Sequence, residues 1–348
     1  MNQSKVKRII SAIGLPRLII SCFLLVLIIL LPVLNLQVEM LFSQALTRVG
    51  MNGILVLAMV PAIESGVKLN FALPLGIVCG LFGGAMSLEM GINGLPGLLT
   101  ACAIGVPLAL LVGYLYGRVL NKIKGSEMMI ATYVGFSVVS FMCIVWLALP
   151  IHNPEIRWPQ GNGLRTITVL TDKYEKILDN FMAIHITEDL VIPTGLFLVF
   201  FALCFLVWLF MRSKSGIIMK TGGANPVFAK ATGINVDRTR ILGMMLSTAL
   251  GAIGIIVYSQ SYGFYQYYNA PLMMAFAAIA SVLIGGATNS HASISHVIIG
   301  TFLYQSILTL TLPIANVLIP QGNFSEIVRI LVSNGIILYA LTKAGGNK

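Results

Sequence analysis

Long apolar runs separated by short polar stretches dominate the pattern of this chain. A helix that crosses a bilayer needs about 20 mainly apolar residues, and ten runs approach that length. We predict spans at about 18–36, 41–63, 69–89, 95–117, 128–149, 190–211, 241–259, 272–289, 296–318 and 325–342. The pattern therefore predicts an all-α integral membrane protein with about ten transmembrane helices in one domain over residues 1–348. The run at 272–289 ends in two glycines and is also compatible with a re-entrant helix.

The composition agrees with a chain that is solvated mainly by lipid. Hydrophobic residues make up 57% of the 348 residues and charged residues only 10%, whereas a soluble domain carries about 25% charged residues. The five cysteines lie inside apolar runs and show no metal-binding or redox spacing. We therefore expect neither a metal site nor a cofactor in this chain.

The distribution of basic residues predicts the orientation in the membrane. Besides Lys5, Lys7, Arg8 and Arg17 near the N-terminus, Lys and Arg concentrate at 118–124, 212–240 and 343–348. Because basic loops are retained in the cytoplasm, ten spans with a cytoplasmic N-terminus place all these regions, and both termini, inside. Residues 150–189, which carry more acidic than basic side chains, then lie outside. We call residues 150–189 the acidic loop and residues 212–240 the basic loop. Topology thus explains the net charge of +10 without nucleic-acid binding.

The basic loop contains the pattern of a short capped helix. Asn225 is a preferred N-cap residue, Pro226 suits the first helical turn, and Gly233 is a typical terminator. The helix between them places Val227 and Phe228 near one face. Such an apolar face needs a partner, which is either a neighbouring subunit or the bundle of the protein itself.

This stretch resembles the coupling-helix signature of ABC importer permeases for ribose, simple sugars, nucleosides and branched-chain amino acids. That signature reads Gly-x-Asn-x-x-Ala-Ala, followed by Gly-Ile-Asn-Val-x-x-x-Arg or a close variant. The chain matches it at Gly223, Asn225, Ala229, Gly233, Ile234, Asn235, Val236 and the basic pair Arg238 and Arg240. It departs from the signature at Lys230, where a second alanine is usual.

The resemblance implies a permease subunit of a bacterial ABC importer in the plasma membrane, and not an enzyme. ATP and Mg would be bound by a separate cytosolic ATPase, since this chain has no Gly-x-x-x-x-Gly-Lys-Ser/Thr loop. A binding protein outside would deliver a small polar solute, with a sugar or nucleoside expected and a branched-chain amino acid as the alternative. A second permease subunit, identical or paralogous, would complete the pore.

The residues expected to couple to the ATPase follow from the same signature. They are Gly223, Asn225, Val227, Phe228, Lys230, Gly233, Asn235, Arg238 and Arg240. We expect Val227 and Phe228 to act as apolar anchors. The three basic side chains would face acidic residues of the ATPase.

Two further stretches resemble the family more loosely. Residues 65–70 are similar to a Ser-Gly-Ile-Asp-Leu-Ser segment, but Lys68 replaces the usual Asp and Asn70 replaces the usual Ser. Residues 284–288 are similar to a Leu-Gly-Gly-Thr-Ser segment. The opposite charge at Lys68 argues against transferring a substrate role from the family.

Polar side chains inside spans usually face the bundle interior, which makes several of them candidates for a substrate path. These are Asn52, Ser65, Asn70, Thr132, Ser137 and Ser140. Lys68 in the family-like segment, and Tyr262 and Gln266 in the aromatic stretch that follows span seven, are further candidates for the path. Within the spans, a local hydrogen bond to a helix carbonyl is the alternative. The aromatic and amide-rich stretch 258–269 predicts either an aromatic belt or an outer vestibule in which rings stack on the solute while Gln260, Gln266 and Asn269 bind it.

An ion-coupled secondary transporter is the main alternative function, and a membrane-embedded enzyme is the other. A carrier needs acidic or histidine residues deep in its spans, whereas Glu64, Glu89 and Glu326 lie at predicted span ends. An enzyme needs a catalytic set at one depth, and the sequence offers none. His291 and His296 are expected to be structural.

Overall fold

A computed structural model describes residues 15–123, 125–154, 156, 159–160, 163–164, 166–268, 270–318 and 324–345. Several residues used in the topology and vestibule predictions lie outside the described residues. They are Lys5, Lys7, Arg8, Lys124, Asn269 and Lys348, together with parts of the acidic loop between 155 and 165.

Fourteen helices and six short strands form the described part of the chain. The helices of the first half are α1 (Leu15–Val33), α2 (Val38–Leu57), α3 (Met59–Glu64), α4 (Leu73–Glu89), α5 (Gly94–Lys122), α6 (Glu127–Ala148) and α7 (Ile177–Asn180). Those of the second half are α8 (Thr194–Arg212), α9 (Lys214–Ala224), α10 (Pro226–Ala231), α11 (Val236–Tyr262), α12 (Ala270–Ile284), α13 (Ile294–Leu318) and α14 (Phe324–Gly345). The strands are β1 (Pro159–Gln160), β2 (Gly163–Leu164), β3 (Ile167–Val169), β4 (Ile184–His185), β5 (Val191–Ile192) and β6 (Phe264–Gln266).

Each predicted apolar run coincides with an apolar helix of the structure. Among the described residues, seven helices are long and apolar enough to cross a membrane, counting α2 and α3 as one: α2–α3, α5, α6, α8, α11, α13 and α14. Three further apolar helices, α1, α4 and α12, are shorter. The protein is therefore a multi-pass membrane protein.

The most buried helices form the centre of the bundle. Helix α11 packs against α5, α4 and α2, while α13 packs against α2, α12 and α14. Gly80 of α4 is one point where two backbones approach closely, because a Cβ there would lie 2.9 Å from the Cα of Ala252. Helices α6 and α14, in contrast, lie at the periphery, where most of their apolar side chains are exposed or half-buried.

Helix α12 connects the two ends of the bundle and does not return to the end where it begins. The strand before it, β6, pairs with β3 of the acidic loop. The residues after it, Asn289 and Ser290, line a cavity together with Lys230 of the basic loop. We call these the acidic end and the basic end of the bundle. This course does not support the re-entrant alternative for 272–289.

Short strands at the acidic end are a feature that the all-α prediction missed. The strands form three antiparallel pairs, β1–β2, β3–β6 and β4–β5. Each strand is only two or three residues long, so the alternation of apolar and polar residues that predicts a strand cannot develop. The pairs fold the acidic loop and the stretch after α11 over the bundle.

Candidate functional site

The predicted short helix of the basic loop is present as α10, and its boundaries follow from its caps. Asn225 is the N-cap, and its Oδ1 accepts a hydrogen bond from the backbone N–H of Phe228 at 3.0 Å. Pro226 occupies the first turn. Gly233 ends the element with a positive φ of 81°, a conformation that favours glycine. Asn235 then caps α11 by accepting from the N–H of Arg238 at 3.1 Å.

Helix α10 exposes the two apolar side chains that the sequence marked as anchors. Val227 is 80% exposed and Phe228 is 55% exposed, whereas Ala229 on the other side of the helix is fully buried. Lys230 and Arg238 are also exposed. The helix therefore turns its apolar side chains away from its own bundle and flanks them with positive charge.

Helix α9, which the sequence analysis did not predict, attaches α10 to the bundle on its N-terminal side. It begins at an N-cap, Ser213, and ends at Ala224. Near its end, Gly223 lies so close to the α3–α4 turn that a Cβ would contact the carbonyl oxygen of Glu64 and lie 2.7 Å from the amide nitrogen of Gly66. A glycine is required at this position because only a residue without a side chain permits that backbone contact.

An ion pair and a backbone hydrogen bond attach the C-terminal side of α10 through the first turns of α11. Arg240 Nη2 lies 2.8 Å from Oε1 of Glu127, the first residue of α6, and both side chains are more than nine-tenths buried. Asn121, near the end of α5, donates to the backbone carbonyl of Asp237 at 2.7 Å. The start of α11 is thus held by both sides of the α5–α6 connection.

This ion pair changes the role expected for Arg240. Arg240 was predicted to face an ATPase, but only 6% of the residue is exposed and its partner is Glu127 of the same chain. Replacing Arg240 with a neutral residue would leave the buried carboxylate of Glu127 without a compensating charge. Lys230 and Arg238 remain available for an external partner.

A cavity of about 340 Å³ at the basic end unites two groups of predicted residues. Ser65 and Lys68, predicted for the substrate path, line it together with Gly223, Lys230 and Arg240, predicted for coupling. Lys68 is exposed and has a positive φ of 70°. Residues 65–68 thus lie directly beside α9 and α10, which explains how the family-like turn and the coupling signature form one surface.

Two of the predicted path residues are fully buried and have internal partners. Ser65 donates to the carbonyl of Ala62 at 2.8 Å. Asn70 donates to Ser247 Oγ of α11 at 2.9 Å and accepts from the N–H of Ala72 at 3.0 Å. Asn70 therefore joins the start of α4 to α11.

Among the remaining candidates on the spans, three bond within their own helix. Asn52, Thr132 and Ser140 each donate to the carbonyl four residues earlier, at 2.9, 2.9 and 3.0 Å. This is the local alternative foreseen for them. Ser137 is exposed on α6.

Glu64 is a buried carboxylate of the basic end whose role the sequence did not indicate. It is 5% exposed at the end of α3. Its Oε1 accepts from the N–H of Ala292 at 2.8 Å and lies 2.8 Å from Nδ1 of His291. Glu64 therefore ties the turn that Gly223 contacts to the α12–α13 connection.

A second cavity, of about 400 Å³, opens at the acidic end. Most of the side chains that line it are polar or aromatic and come from α2, the acidic loop and the end of α11, while Met51, Val191 and Pro193 are apolar. The polar and aromatic residues include Ser43, Gln44, Thr47, Arg48, Lys176, Asp179, Asn180 and Tyr262. Tyr262 is 45% exposed, and its ring stacks on that of Tyr258 with centroids 5.3 Å apart.

The aromatic and amide-rich stretch 258–269 contains exposed residues, such as Tyr262 in the cavity wall, and residues buried beneath the acidic loop. Gln260 is fully buried and accepts from the N–H of Leu178 at 3.2 Å, so it holds the acidic loop and is not open to a solute. Tyr265 and Tyr267 are buried, and Tyr265 accepts a hydrogen bond from Tyr174 at 3.1 Å. Gln266 is exposed, in the register position opposite Ile167 on β3.

Asp179 is the buried carboxylate of the acidic end. Its Oδ1 accepts from Ser261 Oγ at 2.8 Å. Burial raises the pKa of Asp179 above its ordinary value of 3.8, and the hydrogen bonds from Ser261 and Gln260 and the charge of Lys176 partly offset that rise. The cavity wall therefore contains an acid that is protonated more readily than an exposed one.

The missed residues share one property, which is that their partners are distant in sequence. Glu127 and Arg240 are 113 positions apart, and Glu64 and Ala292 are 228 apart. The local signal available for Glu127 was an acidic residue at the start of an apolar run, which equally suits the positive end of the helix dipole. That local signal does not indicate that Glu127 pairs with Arg240.

Comparisons with known proteins agree with this architecture. The family model described as "Branched-chain amino acid transport system / permease component" matches residues 41–341. A nucleoside ABC transporter permease protein of Lactococcus lactis subsp. cremoris is 25% identical over 191 residues, which cover 52% of this chain and 50% of the relative. A tyrosine transport system permease protein of Clostridioides difficile is 30% identical over 126 residues, which cover 35% of this chain and 42% of the relative.

The match to the family extends over most of the chain, whereas the match to each relative is partial. The aligned regions span half or less of the length of these two relatives. No solved structure matches the chain. The family match includes α10, both of its attachments and both cavities. The chain therefore belongs to the family of ABC transporter permease components that includes those of branched-chain amino acid transport systems.

Proposed function

We propose that this chain is the membrane-spanning subunit of an ATP-driven importer for a small polar solute, with a sugar or a nucleoside expected first. The exposed apolar pair on α10 is the observation that carries the proposal. Val227 and Phe228 are 80% and 55% exposed on a helix of only six residues. Exposed apolar patches with a polar or charged rim mark sites of interaction with other proteins.

The ATPase would bind α10, and movement of the ATPase would displace α10 together with the helices to which α10 is attached. On the N-terminal side of α10, Gly223 of α9 packs against the α3–α4 turn. On its C-terminal side, Arg240 of α11 pairs with Glu127 of α6. Because one attachment is a close backbone approach and the other a buried ion pair, a displacement of α10 would be passed on to α3, α4, α6 and α11, and not only to the two neighbouring spans. The ATPase can shift the inward–outward equilibrium of the permease only if its contacts differ between the two states.

The topology that suits this mechanism has ten membrane crossings with the basic end in the cytoplasm. The three shorter apolar helices would complete the seven long ones, because non-helical backbone at membrane depth is tolerated where it is buried in protein. The turn that follows α12 meets this condition, since Gly285 lies against His296 and Gly300 of α13. Both chain termini would then be cytoplasmic, in a bacterial plasma membrane.

The proposed partners follow from what this chain provides and what it lacks. Its sequence has no phosphate-binding loop, so ATP and Mg would be bound by a cytosolic ATPase. An extracytoplasmic binding protein would deliver solute to the acidic end. A second permease subunit, either another copy or a paralogue, would form the pore with this one, and lipid would cover the remaining apolar surface.

The acidic-end cavity favours a solute that combines a ring with hydrogen-bonding groups. Tyr262 offers an aromatic face, while Ser43, Thr47 and Gln44 offer neutral polar groups. A nucleoside or a sugar fits this lining. An amino acid is the alternative substrate, because Arg48 and Asp179 lie in the same wall and match a carboxylate and an ammonium group. The names of the two relatives, nucleoside and tyrosine, include both classes.

Co-purification with the cytosolic ATPase of the proposed importer tests the proposal. We expect the wild-type chain to retain the ATPase in detergent and the Phe228→Asp variant to lose it, because a carboxylate in an apolar interface is costly to desolvate. Ser215→Asp is the matched control, since it adds the same charge to an exposed position of the basic loop outside α10. It should retain the ATPase.

Reconstitution in liposomes separates the importer from a secondary transporter. We expect uptake only when the ATPase and ATP are present. Uptake by this chain alone, driven by an ion gradient, would show the proposal to be wrong.

A further inference from the structure

The β4–β5 hairpin of the acidic end has two chemically different faces. Ile184 pairs with Ile192 and His185 pairs with Val191, and the ladder continues with a hydrogen bond from the N–H of Ile186 to the carbonyl of Leu190 at 3.0 Å. Side chains alternate along a strand, and paired residues share a face. One face therefore carries Ile184, Ile186, Leu190 and Ile192, and the other carries His185 and Val191.

On the second face, the Val191 side chain turns toward the bundle, while His185 is exposed. Ser43 Oγ of α2 donates to the carbonyl of Val191 at 2.7 Å and accepts from its N–H at 3.4 Å. Thr187, in the turn of the hairpin, donates to Glu39 of α2. Val191 also lines the acidic-end cavity. The hairpin is thus a wall of that cavity, and its aliphatic face points the other way.

The aliphatic face is exposed along β4, whereas Leu190 and Ile192 beside it are half-buried. Ile184 and Ile186 are 52% and 58% exposed, and the preceding Phe181 and Met182 are 54% and 70% exposed. Charge is confined to the turn, where Glu188 and Asp189 are exposed. A soluble loop rarely keeps large apolar side chains this exposed next to one another.

The position of the hairpin identifies what covers this face. The N–H of Gly195 in the first turn of α8 donates to the carbonyl of Phe181 at 3.0 Å, and Thr194 donates to the carbonyl of Met182. The apolar segment therefore lies level with the start of α8. Leu198 and Phe201, about one turn further along α8, are 58% and 49% exposed on the surface that this membrane helix presents to lipid. The exposed apolar side chains of the hairpin segment therefore lie just beyond the N-terminal end of a helix whose own surface faces lipid.

We propose that Ile184, Ile186, Leu190 and Ile192 insert into the boundary between lipid headgroups and acyl chains at the acidic end. Amphipathic elements bind at this boundary through an apolar face, while their polar groups stay in water. The hairpin anchors one wall of the acidic-end cavity to the membrane surface. The acidic turn remains among headgroups or in water, which fixes the depth of insertion.

Nitroxide accessibility in a bilayer tests this anchor. The full chain, with its five native cysteines replaced, would be labelled at Ile184→Cys or Ile186→Cys and reconstituted in zwitterionic phospholipid. We expect the ratio of collisions with oxygen, which concentrates in the bilayer, to collisions with a water-soluble nickel chelate to be higher at both positions than at Glu188→Cys. Glu188→Cys is the matched control because it lies in the turn of the same hairpin.

Two results would overturn the anchor. One is a nickel-chelate accessibility at positions 184 and 186 equal to that at position 188. The other is shielding from both reagents that develops only when a binding protein is added, since the face would then be a protein-docking surface. The measurement needs neither ATP nor ATPase, so the anchor can stand even if capture of an ATPase by Phe228 fails.

Discussion

The two ends of the bundle hold their functional segments in opposite ways. At the basic end, α10 is attached through a close backbone approach at Gly223 and a buried ion pair between Glu127 and Arg240. At the acidic end, short hairpins and hydrogen bonds from Ser43 and Ser261 hold a loop around an open cavity. Under the proposed function, this difference would suit the first end to transmitting displacement and the second to admitting a solute.

Breaking the buried ion pair should have the largest effect and would test whether the basic end is rigid. Arg240→Met leaves the Glu127 carboxylate buried without a partner, which costs about 3–5 kcal/mol of unfolding free energy. Combining it with Glu127→Leu removes both charges, so the double variant should lose much less than the single one. Unfolding of the purified chain in detergent measures both values.

The exposed pair between Glu326 and Arg329 provides the matched control. These residues are three apart on α14, and both side chains reach solvent. Glu326→Leu with Arg329→Met should change stability by less than about 1 kcal/mol. If Arg240→Met lowers the free energy of unfolding by no more than this, the buried pair does not stabilise the basic end more than an exposed pair would.

Adding a side chain at Gly223 should have the next largest effect. A Cβ there would lie 2.7 Å from the backbone nitrogen of Gly66 and still closer to the carbonyl oxygen of Glu64. Gly223→Val must separate α9 from the α3–α4 turn, at a cost of about 1–3 kcal/mol. Because Phe228 stays exposed, the variant should still bind the ATPase. Because the contact between α9 and the α3–α4 turn is loosened, solute uptake per ATP hydrolysed should fall.

Gly335→Ala is the control for Gly223→Val. A Cβ at Gly335 meets no atom within 4 Å, and the residue lies inside α14. Alanine there should leave uptake unchanged and stabilise the helix by up to about 1 kcal/mol. Equal losses of uptake in both variants would show that the contact at Gly223 does not carry the displacement.

Much of the basic end could be predicted from the sequence because its signals are local. Asn225, Pro226 and Gly233 fix the ends of α10 within nine residues, and the structure confirms that helix. The apolar runs likewise predicted the positions of the apolar helices. Helix α9 was missed because its polar, glycine-containing sequence, Lys-Ser-Gly-Ile-Ile-Met-Lys-Thr-Gly-Gly-Ala, has no clear apolar periodicity.

Much of the acidic end could not be predicted because its order depends on tertiary contacts. Gln260 looked like a solute ligand, yet its side chain bonds to the acidic loop 82 residues earlier. Tyr265 looked like a belt or vestibule residue, yet it is buried beneath that loop and bonded to Tyr174. An aromatic or amide side chain shows its chemistry in the sequence, but its direction is set by partners that only the fold brings near.

Removing the N-cap of α10 should have a smaller effect, confined to the basic end. Asn225→Ala loses the bond to the N–H of Phe228 and should destabilise the helix by about 1 kcal/mol. Faster hydrogen exchange at Phe228 and weaker ATPase binding should result. Asn225→Asp can still accept that bond and should restore both, whereas equal ATPase affinity in all three chains would show that the cap does not matter for docking.

Neutralising Asp179 should have the smallest effect, confined to the acidic end and visible only in its pH dependence. Because burial raises the pKa of Asp179 in the fold, the folded protein binds this proton more tightly than the unfolded chain does. That contribution to stability is present at low pH and is lost as pH rises from about 4 through the raised value.

Asp179→Asn keeps an acceptor for Ser261 and cannot ionise, so relative to this variant the wild-type melting temperature should fall between about pH 4 and pH 7. Asp172→Asn is the control, since Asp172 is exposed on the same loop and asparagine tolerates its positive φ of 62°. Its melting temperature should follow the wild-type profile. Identical pH profiles for wild type and Asp179→Asn would mean that the carboxylate is as well solvated as an exposed one. The acidic end would then be more open than its hydrogen bonds indicate, and the contrast with the basic end would be sharper still.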